Sequence, residues 1–146
     1  MKKIILLLLF FSFFLTSCES EEDGITYTTP DYITGKWNFS KIGSINSQSI
    51  VIYQDYPNTQ TCESDNLILN ADGTYEINDF SLQGTNCVST AQTGNFILFN
   101  KDITVSYTEN NILVTKSYTV ISLTYQEMII VTTNASGQSI FYKLIR

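Results

Sequence analysis

Few residues in this chain are suited to chemistry. Its 146 residues include no histidine and three cysteines, Cys18, Cys62 and Cys87. Without histidine the usual proton shuttle near neutral pH is missing, and so are the triads built on it. No glycine-rich phosphate loop, nucleophile elbow or paired-cysteine metal motif occurs. Cys62 and Cys87 cannot complete a four-ligand zinc shell by themselves, so a structural disulfide is the expected pairing. Closing that 26-residue loop would stabilise the fold by about 3.5 kcal/mol on the chain-entropy view. Glu63 and Asp65 set two carboxylates beside Cys62, a pairing that glycoside hydrolysis could use, but nothing separates them from a polar loop. Asp72, Asp79, Asp102 and Glu109 fall where solvated turn carboxylates belong. No enzyme, cofactor or metal site is expected.

Cys18 stands apart because of what precedes it. Met1, Lys2 and Lys3 lead into an apolar run from Ile4 to Leu15 broken only by Ser12, followed by Thr16 and Ser17. This is the layout of an export signal, and twelve residues fall short of the roughly 20 needed to span a bilayer core. Leu15-Thr16-Ser17-Cys18 resembles the bacterial lipobox, which implies removal of residues 1–17 and lipidation of Cys18. Two or more acyl chains, at about 0.8 kcal/mol per buried methylene, hold a protein durably on a membrane. The following Glu19-Ser20-Glu21-Glu22-Asp23-Gly24 has no apolar residue, so residues 18–31 read as a solvated tether. Ser20-Glu21-Glu22-Asp23 also resembles the acidic export signal of Bacteroidota surface lipoproteins. The expected location is therefore the outer membrane with the domain facing the cell exterior, and a periplasm-facing position is the alternative.

Removal of the signal takes Lys2 and Lys3 with it, leaving six basic against fourteen acidic residues and a net charge of −8. Such a surface repels phosphate backbones, which excludes nucleic acid as a natural partner. The remaining length suits one domain, 32–146, with a single core, expected to be monomeric. Export also agrees with the even pair of cysteines, since disulfides persist outside the cytoplasm.

The elements that must position these groups are strands. Short runs rich in Val, Ile, Thr, Tyr and Phe recur between turn signals, and helical periodicity is absent. Strands are expected from Lys36, over Ser49–Gln54, Leu67–Leu69, Thr74–Asn78, Gly94–Phe99, Ile103–Thr108, Ile112–Leu123, Met128–Thr132 and Ser139–Ile145. Asn70-Ala71-Asp72-Gly73 marks the clearest hairpin. Phe80–Thr93 is polar and reads as a long loop pinned by Cys87. Eight or nine strands tend to curl or close. The expected class is all-β, an antiparallel barrel or half-barrel, with a two-sheet sandwich as the alternative.

Gly35-Lys36-Trp37, Asn70 to Tyr75, Gly94-Asn95-Phe96 and the closing Tyr142 to Arg146 resemble, in order and spacing, the lipocalin-like domains of Bacteroidota lipoproteins. The resemblance implies that Trp37 closes one end of the barrel beneath a cation, Arg146 or Lys143. It also implies non-catalytic binding of a small apolar ligand. Candidate lining positions are Phe39, Leu67, Leu69, Phe96, Leu98, Val114, Tyr118 and Met128, each of which also suits plain core. The alternative function is a cell-surface module that binds a glycan or protein through loops, with Tyr53, Tyr56, Tyr107 and Tyr125 as exposed rings.

Overall fold

The computed structural model describes residues 31–146. The signal over 1–17, Cys18 and the tether as far as residue 30 lie outside the described residues. A short 3-10 turn at Asp31–Ile33 leads into nine antiparallel strands. These are β1 (Gly35–Ile45), β2 (Val51–Asp55), β3 (Asn66–Leu69), β4 (Thr74–Gln83), β5 (Asn86–Phe99), β6 (Asp102–Glu109), β7 (Ile112–Leu123), β8 (Glu127–Thr133) and β9 (Ser139–Ile145).

Eight of them close a barrel in the order β1-β3-β4-β5-β6-β7-β8-β9, with β9 pairing back onto β1. Closure removes the unpaired edges that an open sheet would expose. β2 is the extra strand: it flanks β1 over Lys41–Ile45, beyond the four residues that pair with β3. The turns follow local chemistry. Asn110 and Asn111 both take positive φ (50° and 63°), the requirement of a two-residue type I′ hairpin between β6 and β7. Gly84 alone is positive (66°) in Gly84-Thr85, which suits type II′.

That last turn corrects the reading of Phe80–Thr93 as a loop. β4 and β5 pair in register from Thr74↔Asn95 to Gln83↔Asn86, so the segment is a long hairpin. Its outer part, from Ser81 to Ala91, is solvent-exposed. No core face exists there to impose alternation of apolar and polar residues.

The core sits at one end of the barrel. Ile33, Trp37, Leu69, Tyr75, Met128 and Leu144 are all at most 1% exposed, each on an inward position of its strand or on the 3-10 turn. Strand pairing in the wall is interrupted at several points, among them between β3 and β4, between β5 and β6 beyond Asn95, and between β7 and β8 before Thr119. β3 pairs with β4 only as far as Asn78, leaving one side of Asp79–Gln83 unpaired. Residues 56–65 fill that gap. Tyr56 N donates to Ser40 O (2.9 Å), Phe39 N to Asp65 O (2.9 Å) and Phe80 N to the buried Asp65 Oδ1 (2.7 Å). Asn58 Nδ2 donates to Phe39 O, Thr59 Oγ1 donates to Phe80 O, and Cys62 is disulfide-bonded to Cys87 on β5.

Candidate functional site

Above the packed end the barrel is hollow. A cavity of about 420 Å³ is lined by side chains from all eight barrel strands, and its aliphatic wall is Leu67, Leu69, Ile77, Ile103, Val105 and Ile130. Phe39, Tyr56, Tyr118 and Tyr142 supply rings, and Asp79, Thr90, Gln92 and Lys116 supply polar groups. Asp79, Thr90 and Lys116 line the cavity and keep solvent contact, so they mark its opening.

The rings are organised. Phe39 stacks on Tyr56 at 5.0 Å between centroids and meets Tyr142 edge-on at 5.6 Å. Burial pushes the pKa of the Tyr56 phenol up to about 12, helped by the nearby Asp65 and Asp79 carboxylates. Burial likewise raises the Tyr118 and Tyr142 phenols, so all three stay protonated donors under ordinary conditions. Partial burial, and then Asp65, hold the Asp79 carboxyl above the usual carboxylate range. On β7, a hydrogen bond with the Tyr107 hydroxyl holds the Lys116 ammonium above the usual lysine range, and the ammonium lies 5.4 Å from the Tyr107 ring centroid.

At the closed end, Trp37 is fully buried and its Nε1 donates to Ile33 O at 2.7 Å. The Arg146 guanidinium lies 4.2 Å from the centre of the Trp37 ring and 5.4 Å from that of Tyr125. Arg146 also donates to the carbonyls of Tyr32 and Thr34, tying the last residue to the start of the domain. Lys143 is engaged elsewhere, in an ion pair with Glu127 at 2.7 Å. Glu63 pairs with Lys36, while Asp65 is turned to the backbone of Phe80, so the two carboxylates do not converge. Among the described residues no three His, Cys, Asp or Glu side chains converge to hold a metal ion.

Four of the eight candidate lining residues reach the cavity: Phe39, Leu67, Leu69 and Tyr118. Phe96 and Met128 are buried in the core cluster, Leu98 packs against it, and Val114 is half-buried. The expected set of exposed tyrosines also changes. Tyr107 is 7% exposed and Tyr56 turns into the cavity, leaving Tyr125 as the exposed member and Tyr53 half-buried. Lys116 is a lining residue that the sequence reading missed, yet its signal is present in the chain. Val114 and Tyr118 are both inward candidates on one strand, and strand periodicity puts Lys116 between them on the same face.

A closed antiparallel barrel, packed around a tryptophan at one end and hollow at the other, is the architecture of the lipocalins. The chain belongs to the lipocalin-like domain family, whose sequence profile matches residues 33–130. An uncharacterised protein from Bacteroides eggerthii DSM 20697 shares the fold, with a TM-score of 0.51 at 13% identity over 77% of this chain and 98% of that one. Bovine odorant binding protein in complex with undecanal is similar at a TM-score of 0.43 and 12% identity, over 78% of this chain and 70% of that one. A dog lipocalin allergen is similar at 0.44 and 14%, over 78% and 73%. No curated protein matches the chain in sequence.

Proposed function

We propose that this protein is a membrane-anchored carrier that holds one small, mainly apolar molecule inside its barrel. The observation that supports this most directly is the cavity of about 420 Å³ with an aliphatic wall. Ligand pockets fall in the range of roughly 300–1,000 Å³, with a few placed polar groups among apolar ones. A barrel of eight strands has room for side chains or for one small ligand, and here a row of inward positions leaves space unfilled. Membership of the lipocalin-like family supports the same kind of cargo in the same part of the barrel. The anchor rests on Leu15-Thr16-Ser17-Cys18, and display at the outer face of the outer membrane rests on the acidic run behind it. The module that binds a glycan or protein through exposed tyrosines is the weaker reading, because Tyr56 and Tyr107 turn inward.

The test is native mass spectrometry of the mature protein purified from its host membrane. A small molecule that leaves on denaturation, together with a diacylglyceryl mass on the Cys18 peptide, is the expected result. An unmodified Cys18 would remove the anchor. A ligand-free barrel that also ignores apolar probes would remove the carrier.

A further inference from the structure

We propose that the cavity is built for an amphipathic acid, with an apolar chain against the aliphatic wall and a carboxylate head held at Lys116. This rests on the carrier reading and specifies the chemistry of the cargo.

Lys116 sits on an inward position of β7, opposite Val105 of β6, and lines the cavity. The ion pairs among the described residues take Lys36, Lys41 and Lys143, and Lys116 is in none of them. A cation beside a largely apolar cavity gains most from a partner of opposite charge that enters with the ligand.

The groups around it are hydrogen-bond donors, apart from the Glu109 carboxylate, whose pull on the ammonium is the weakest of its interactions. Tyr107 lies under the ammonium, and the Tyr118 and Tyr142 phenols feel its charge. Tyr75, 1% exposed on β4, adds a buried hydroxyl with no hydrogen-bond partner, within electrostatic reach of Tyr107 and Tyr118. Leaving such a hydroxyl unpaired costs about 1–3 kcal/mol. Gly94 lets Tyr75 lie there: a Cβ on that residue would stand 2.8 Å from the Tyr75 ring. Of these groups Lys116, Tyr118 and Tyr142 line the cavity itself, and an ammonium with two phenols from β7 and β9 calls for an acceptor, of which an anionic one best satisfies the charge. Asp79 belongs to a different neighbourhood, coupled to Asp65 and Tyr56, and an acid oriented toward Lys116 keeps its head away from it.

Isothermal titration of the mature chain from residue 18, carrying Cys18→Ser, with monomeric decanoate, decanol and decylammonium separates the possibilities. Decanoate is expected to bind about tenfold or more tighter than decanol. Lys116→Met should abolish that preference while leaving decanol within about twofold, and Lys116→Arg should restore it. Equal binding of decanoate and decanol would overturn the head-group assignment and leave the carrier reading standing. So would a Lys116→Met variant that weakens both ligands alike, or decylammonium binding tightest of the three. Failure of all three probes to bind would overturn the carrier reading and this proposal together.

Discussion

Replacing both Cys62 and Cys87 by alanine isolates the effect of the cross-link. Cys87 is exposed and Cys62 half-buried, so the substitution leaves no void in the core. The residues that cross the gap in the wall keep their hydrogen bonds to Phe39, Ser40 and Phe80, and the folded barrel should keep its shape. What changes is the unfolded chain, which regains the freedom of a loop with a sequence separation of 25. On the chain-entropy relation that is worth about 3.5 kcal/mol, a large part of the roughly 5–15 kcal/mol that holds a domain folded. The melting temperature should fall by roughly 10–20 °C. Trp37, the single tryptophan, is fully buried and reports urea unfolding directly. The double variant should show a lower midpoint and a steeper denaturant dependence, because its unfolded state is more open. A loss below about 1 kcal/mol would refute the reasoning, since the loop length then contributes far less than its entropy requires.

Arg146→Ala removes the guanidinium over Trp37 and two hydrogen bonds to the start of the domain. It should cost about 1–3 kcal/mol and shift Trp37 emission to the red, and an unshifted spectrum would count against the end closure. Gly94→Ala would put a Cβ 2.2 Å from the Ser106 carbonyl oxygen and 2.8 Å from Tyr75, for a loss of about 1–3 kcal/mol in urea unfolding. At Gly84 no atom lies within 4 Å of an added Cβ, so Gly84→Ala should lose only the strain of positive φ, about 1 kcal/mol. Tyr56 ionises near 12 in the folded barrel and near about 10 when unfolded, so its protonated form favours folding. That stability is complete below pH 10 and is lost as pH rises toward 12, with Tyr75, Tyr118 and Tyr142 acting in the same direction. Urea midpoints that stay level between about pH 9 and pH 12 would contradict this.

The barrel was legible where one face of a strand is buried. Ile103 to Tyr107 alternates inward and outward, and Ser139–Ile145 is bounded by Asn134 to Gly137, so pattern and turn chemistry agreed. The hairpin over Phe80–Thr93 was illegible because it stands out from the barrel, and two solvent-facing sides leave no apolar rhythm. Trp37 and Arg146 were readable from their places at the two ends of the domain, and Cys62 with Cys87 from their number and context. Much of the cavity wall was not. Phe96 and Met128 share their inward parity with true lining residues, and only their height along the barrel separates core from cavity. Height depends on strand stagger, which a single sequence does not display.

The gap bridged by residues 56–65 has a consequence for how such a barrel changes over time. Where the wall is a strand ladder, inserting one residue turns each following side chain to the other face. The bridging segment obeys no such rule, because side chains of Asn58, Thr59 and Asp65, two backbone hydrogen bonds to β1 and the disulfide hold it rather than a strand ladder. Lengthening a loop is also thermodynamically mild, about 0.6 kcal/mol for a doubling. Tyr56 enters the cavity from this segment. It is a stretch of wall where the chamber can be resized for a different cargo without rewriting the strands around it.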